Sequence, residues 1–309
     1  MATPRHQLID PDYPMHYHIV SRCVRRSWLC GVDRLARKNY EHRKDWLKQR
    51  MLHLAQYFAV AIDAFAIMSN HFHLVVYFDP QESFRWPDKE VADRWLKVFP
   101  PSANIASESD QVALFNLHRE RLLLSPERLL HARQTLGSLS MFMKHLKQPI
   151  SYQANREDKC SGHFFEGRFY SGALLDENAV IAAMAYVDLN PIRARITQHI
   201  EQYKAASGYI RARIAKNTPT RLKDAMQPLA SGLNQDRPAL SIRLEGFLNI
   251  LKQYEIEYGE PASRTKTSRW HNRIASLRKR QRAFGTASAL SSWRTDRGWF
   301  TTETPLPAD

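Results

Sequence analysis

Apolar and polar positions alternate with two different periods along this chain, and the switches between them mark out its elements. His16-Tyr17-His18-Ile19-Val20-Ser21-Arg22-Cys23-Val24 has the β-branched and aromatic content of a strand, whereas Val32 to about Tyr57 mixes charged and apolar residues at helical spacing. Ala59 to Met68 reads as a second strand and the stretch around His71-Phe72-His73-Leu74-Val75-Val76-Tyr77 as a third. Ser69-Asn70 between them predicts a hairpin turn. From Asp79 to about Gln134 the pattern breaks up: Pro80, Pro87, Pro100 and Pro101 interrupt it, acidic residues accumulate, and one short helical piece is predicted around Asp93 to Lys97. Helical spacing resumes from Leu136 to Lys147, with Lys144, Lys147 and Arg156 giving it a basic character. Asp176 to Asn190 reads as a further helix, acidic at its start and followed at once by Pro191.

This β-α-β-β-α order, with further strand pairing, predicts an α+β core on an antiparallel sheet with helices on one face. Periodicity alone leaves several such folds open, and no internal repeat is evident. From about residue 211 the composition changes, leading through Pro219 and Pro228 to a helix expected at Ala239 to Tyr258. The expected organisation is therefore a domain over 1–210, carrying an insertion at about 79–135, and a basic extension over 211–309, helical to partly disordered. Arg264 to Arg282 holds eight Lys or Arg and no acid, with Trp270, His271 and Phe284 interleaved or adjacent. Such a run, Arg278, Lys279 and Arg280 included, suits phosphates electrostatically while aromatics stack on exposed bases, and it equally suits a solvated tail.

Charge sharpens the picture of a partner. The 309 residues carry 45 Lys and Arg against 31 Asp and Glu, a net charge of +14 and a pI near 9.8, which favours a polyanion, nucleic acid above all. The opening Met1-Ala2-Thr3-Pro4-Arg5-His6 has no apolar signal core, and no run of about 18 apolar residues offers a membrane span, so a cytoplasmic protein is expected. Cys23, Cys30 and Cys160 are too few and too irregularly placed for a disulfide framework or a cysteine zinc site, and are read as reduced.

The candidate chemistry lies in two distant segments. Side chains at i and i+2 of a strand share a face, so His71 and His73 point one way while Phe72 turns the other, and two imidazoles can converge on one cation. Residues at i and i+4 of a helix lie one above the other, so Tyr186 and Asn190 offer a phenol and an amide oxygen together. Each has a plainer reading: satisfied core histidines, a packed tyrosine, an asparagine ending a helix before proline. Tyr152, Tyr170 and Tyr203 are rival nucleophiles, but none of them stands four residues before an Asn-Pro.

Three segments, Ile67 to Val76, Gly162-His163-Phe164-Phe165-Glu166-Gly167-Arg168-Phe169, and Tyr186-Val187-Asp188-Leu189-Asn190-Pro191-Ile192-Arg193-Ala194, together resemble the single-tyrosine HUH transposases, named for a histidine, hydrophobic, histidine triplet. The match is closest to the REP-associated tyrosine transposase branch and covers roughly residues 14 to 210. The resemblance implies a ferredoxin-like fold and cutting and rejoining of single-stranded hairpin DNA from repetitive palindromic elements. It assigns the nucleophile to Tyr186, which becomes linked to the 5′ phosphate, and the Mg²⁺ or Mn²⁺ ligands to His71, His73 and Asn190. Arg168, Lys144, Lys147, Arg193, Arg278, Lys279 and Arg280 are the expected DNA contacts, with action in the cytoplasm at the nucleoid. Glu166 departs from the glutamine common in the family, and a carboxylate facing DNA repels phosphate unless a cation or Arg168 neutralises it. Monomer and homodimer both stay open, the branch pointing to a monomer.

A second reading is a domesticated relative that grips hairpin DNA without cutting it, acting in regulation or chromosome organisation. An RNA-recognition sheet would need paired aromatics in set strand positions, and these are not found.

Overall fold

The computed structural model describes residues 4–24, 30–33, 37–101, 107–234, 237, 239–259, 268–297 and 303–307. Of the basic run at 264–282, residues 264–267 lie outside the described residues.

Four strands form the centre of the main sheet: β1 (Met15–Arg22), β2 (Val60–Ile67), β3 (His71–Phe78) and β4 (Tyr170–Leu174). β2 and β3 make the expected hairpin, closed by Met68 N–H donating to the His71 carbonyl at 2.8 Å. β3 pairs on its other side with β1, Val20 opposite His73 and Arg22 opposite His71, and β1 pairs with β4, His18 opposite Gly172; all three pairings are antiparallel. The order is thus β4-β1-β3-β2. Two short pieces from far along the chain extend it among the described residues to six strands: β5 (Ala230–Ser231) beside β2, and β6 (Ala283–Phe284) parallel to β4. The molecule is an α+β protein built on a mostly antiparallel sheet.

Helices cover both faces, which corrects the expectation of one covered face. The reason is in the strands: every residue of β2, and all but the first of β3, is buried, so neither face of the sheet can meet water. The connections β1 to β2 and β3 to β4 carry α1 (His42–Ala55) and, after an insertion made of α2 (Asp88–Val98), α3 (Glu108–Leu123) and α4 (Pro126–Leu136), α5 (Leu139–Asp158). α1 and α5 pack together on the face of Phe72, whose ring meets Phe165 at 6.0 Å, while Lys147 of α5 sits over the same Phe165 ring. α6 (Glu177–Asp188) lies across the opposite face, the one that carries His71 and His73, in contact with β2, β3 and β4.

The insertion holds far more helix than the one short piece predicted. Its prolines sit where helices accept them, Pro87 at the N-cap of α2 and Pro126 at the first position of α4, rather than breaking anything. Only Leu122 is buried on α3, which explains the weak sequence signal there.

α6 starts where the acidic residues predict. Asp176 caps it by accepting from Ala179 N–H at 2.9 Å, and its second carboxylate oxygen accepts from Thr286 N–H at 2.6 Å, tying the C-terminal segment to the helix start. Pro191, without an N–H to lose, opens the short turn Asn190–Arg193 that follows. Beyond Tyr203, α7 (Ser207–Asn217), α8 (Leu244–Gly259), α9 (Arg269–Ser276) and α10 (Ala287–Arg297) follow. α8 and α9 pack on α6, and Phe247, Leu251, Tyr254, Ile274 and Phe284 join the same buried apolar cluster as the sheet. Cys23 and Cys30 are buried and Cys160 exposed, all three as free thiols.

Candidate active site

The α6 face of the sheet is set by strand alternation and register. His71, His73, Val75 and Tyr77 of β3 share it with His16, His18, Val20 and Arg22 of β1 and with Tyr170, Gly172 and Leu174 of β4. Histidine is thus concentrated on the two central strands, directly beneath α6.

His73 is buried, at 4% exposure, with both ring nitrogens engaged. Its Nε2 meets Asn190 Nδ2 at 3.1 Å, and its Nδ1 meets Nε2 of His18 at 3.0 Å. His71, more open, has Nδ1 at 2.6 Å from Asn70 Oδ1, a carbonyl that can only accept, so Nδ1 carries the proton and Nε2 is bare. The His71 and His73 ring centroids are 4.9 Å apart. Tyr186 stands edge-on to both buried imidazoles, 5.8 Å from His73 and 5.6 Å from His18 between centroids. Tyr186, Asn190, His71 and His73, more than a hundred residues apart in sequence, therefore meet at one place.

All three imidazoles are held neutral. Burial, then the charges of Arg22 and Arg280, lowers His71 to about 4. Burial, helped by Arg280, lowers His18 to about 3. Burial takes His73 well below its ordinary value, with His18, His71, Arg22 and Arg193 adding to the effect. Neutral imidazole is the form that binds a metal. Two imidazoles able to present Nε2 and an amide oxygen make a nitrogen and oxygen donor set that fits a divalent ion and leaves coordination positions open. Among the described residues there is no group of three or more His, Cys, Asp or Glu gathered for a metal, so an amide would complete this set rather than a further ionisable side chain. As placed, Asn190 turns its Nδ2 to His73; presenting Oδ1 needs only a flip of the amide.

Two arginines flank the site. Arg193 lies with its guanidinium carbon 4.4 Å from the Tyr186 ring centroid, and its Nη1 is buried without a hydrogen-bond partner among the described residues. Arg280 lies 5.7 Å from the ring centroid of Tyr170, carried there by the turn before β6. Of the predicted contacts, Arg193 and Arg280 thus join the site. Arg278 and Lys279 are exposed beside Arg280. Lys144 and Lys147 do not join it: with Tyr152, Phe165, Glu166 and Gly167 they line a groove of about 600 Å³ against α5, over the Phe72 face. Arg168 is exposed just before β4, and Glu166 donates its N–H to the Arg22 carbonyl at 2.7 Å.

Two rival tyrosines have engaged hydroxyls, and the third lies away from the histidines. Tyr170 donates its hydroxyl to the Gln281 carbonyl at 2.5 Å, and burial pushes its pKa up. Tyr203 donates to the Ile67 carbonyl at 2.6 Å, and Tyr152 is on the outer surface.

No family model matches this chain, and no curated protein matches it. Among solved structures, one of a REP-associated tyrosine transposase bound to a REP hairpin aligns with 78% of this chain and 98% of its own, at 9% identity and a TM-score of 0.33. That is a distant likeness.

His18 and Arg22 are the site residues that sequence reasoning passed over. The alternation in His16-Tyr17-His18 places an imidazole on the same face as any neighbour's, but only the pairing of β1 with β3 reveals whose. Among the described residues no helix is long and apolar enough to cross a membrane.

Proposed function

We propose that this chain is a single-tyrosine DNA nicking and joining enzyme, a transposase of the HUH kind, acting on hairpin single-stranded DNA. The observation that carries the reading is the meeting of Tyr186 and Asn190 with His73 and His71 on one face of the sheet. The resemblance of the three motif segments supplies the hairpin DNA, and the net charge of +14 agrees with it. The order β4-β1-β3-β2, with α1 and α5 as crossovers, supports a ferredoxin-like core. On this reading residues 1–210, with the 79–135 insertion, are the catalytic unit, and 211–309 an extension that brings Arg280 to it. The enzyme works on the chromosome, in the cytoplasm. Tyr186 reaches His73 within one chain, which supports a monomer.

His71, His73 and Asn190 would hold Mg²⁺ or Mn²⁺, a Lewis acid for the non-bridging oxygens of the scissile phosphate. The Tyr186 hydroxyl attacks phosphorus in line. The Tyr–O–P bond forms as the bond to the 3′ oxygen breaks; the phenol proton is lost, and the 3′ oxygen leaves as a hydroxyl. One phosphodiester replaces another, so rejoining needs no external energy. Arg193, beside Tyr186, and Arg280, beside Tyr170, would supply guanidinium donors to the phosphates of the bound strand.

The test is covalent capture. Labelled hairpin DNA with Mn²⁺ or Mg²⁺ should give a protein-linked band on a denaturing gel that needs the metal and disappears in Tyr186→Phe. Tight hairpin binding with no covalent band would instead establish the non-cutting relative.

A further inference from the structure

His73 binds a metal through Nε2 only if the proton of its neutral ring sits on Nδ1, and the atom facing Nδ1 is Nε2 of His18 at 3.0 Å. A single proton lies between these two nitrogens. With it on His73, Nε2 of His73 presents a lone pair; with it on His18, His73 must carry its own proton on Nε2, and that nitrogen can ligate nothing. At the far side of the ring, Asn190 Nδ2 lies 3.1 Å from His73 Nε2, where its N–H meets the lone pair; turned about, the amide offers Oδ1 to a metal instead. With the amide placed this way, the chain Asn190 to His73 to His18 runs in one direction, each donating to the next. His71 is treated the same way by Asn70 Oδ1, so both histidines of the triplet are fixed at Nδ1 and bare at Nε2.

His18 is built to stay in place. It is 2% exposed, its ring stacks near-parallel on His73 at 15° and 5.3 Å, and Tyr170 and Tyr186 stand edge-on to it at 6.1 and 5.6 Å. It lies opposite Gly172 on the adjoining strand. Its own Nδ1 is buried without a hydrogen-bond partner among the described residues, a polar atom whose burial costs free energy and that core packing alone would not select.

We propose that His18 is the positioning residue of the site: by accepting the Nδ1 proton of His73 it sets that ring's tautomer and orientation and so makes its Nε2 a ligand. The proposal rests on the metal reading above for its consequence, but the tautomer it specifies exists without metal. Partners of ligating histidines typically matter roughly 10- to 100-fold in metal affinity.

The experiment uses the full-length protein, wild type, His18→Leu and His18→Gln; glutamine can place its carbonyl oxygen where His18 holds Nε2. Long-range ¹H–¹⁵N spectra of the metal-free proteins report which ring nitrogen of His73 is protonated, and titration with Mn²⁺ followed by the paramagnetic signal of the free ion gives affinity. The expected result is Nδ1–H on His73 in wild type, loss of that single tautomer in His18→Leu with roughly 10- to 100-fold weaker Mn²⁺ binding, and recovery of both in His18→Gln. Wild type with the proton on Nε2 of His73, or a folded His18→Leu that binds Mn²⁺ as wild type does, overturns it, as does a glutamine variant no better than leucine. Should the leucine variant not fold, the wild-type tautomer and the glutamine variant still decide. If wild type shows Nδ1–H on His73 but binds no Mn²⁺, the metal reading fails and the positioning role of His18 stands.

Discussion

Two residues beyond Tyr186, Asp188 is fully buried, and its contacts hold the end of α6 in place. Its Oδ1 accepts from the Ser207 hydroxyl and from Gly208 N–H at 2.7 Å, while Oδ2 lies 3.7 Å from Arg211 Nη1. Arg211 also donates to the Asp63 carbonyl, and the Asp63 carboxylate pairs with Arg237 at 2.5 Å. Burial pushes the Asp188 carboxyl up to about 6 in spite of Arg211, Ser207 and Gly208. Removing one partner of such a pair strands the other charge out of water. Asp188→Ala is therefore expected to cost about 3–5 kcal/mol in urea unfolding, and a loss below about 1 kcal/mol would show the network to be dispensable. Because Asn190 is two residues away, the surviving folded protein should also hold Mn²⁺ more weakly.

At the scale of elements, the site depends on a strand that arrives last. β6 lies along β4 through hydrogen bonds from Ala173 N–H to the Arg282 carbonyl at 2.8 Å and from Leu175 N–H to the Phe284 carbonyl at 2.9 Å. The approach is permitted by Gly172: a Cβ there would lie 2.5 Å from the Tyr170 hydroxyl and 2.8 Å from the Phe284 ring. Gly172→Val should lift β6 away, freeing the Ala173 and Leu175 amides to exchange and carrying Arg280 off Tyr170. The expected cost is about 1–3 kcal/mol in stability, with weaker hairpin binding that falls less steeply with salt. Unchanged amide protection at 173 and 175 would show that the strand tolerates the side chain.

For the whole molecule, the buried imidazoles set the response to acid. His18 and His71 are lowered to about 3 and about 4 and His73 well below its ordinary value, all chiefly by burial, whereas in the unfolded chain each takes up a proton near pH 6.5. Below that pH the unfolded state binds protons that the folded state refuses, so stability is complete above about 6.5 and declines as pH falls toward 4. Each group contributes about 1.4 kcal/mol per pH unit in that window. Asp188 acts oppositely, since its raised pKa favours the folded state toward acid, but it is one group against these three and His16, which burial also lowers. The melting temperature of the metal-free protein should drop steadily between pH 6.5 and 4.5; a flat or rising profile would mean that these buried rings are not held neutral.

Local chemistry made much of this legible in the sequence. Alternation around His71-Phe72-His73 gave the hairpin and the shared face of its histidines, because side chains on a strand have a period of two whatever surrounds them. Acidic residues at 176–177 and Pro191 gave the helix that carries Tyr186, because capping and the missing proline N–H act within a turn. The net charge of +14 favours a polyanionic partner, because charge acts without regard to fold. Only the tertiary structure could decide the rest, since it depends on which strand lies beside which. The pairing of β1 with β3 brings His18 against His73; the return of the chain at 283–284 brings Arg280 to Tyr170, yet leaves Lys144 and Lys147 on the other face of the sheet. Those contacts cross between 55 and 117 residues of chain for the His18–His73 and His73–Asn190 bonds alone, and nothing in the local pattern encodes a distance of that kind.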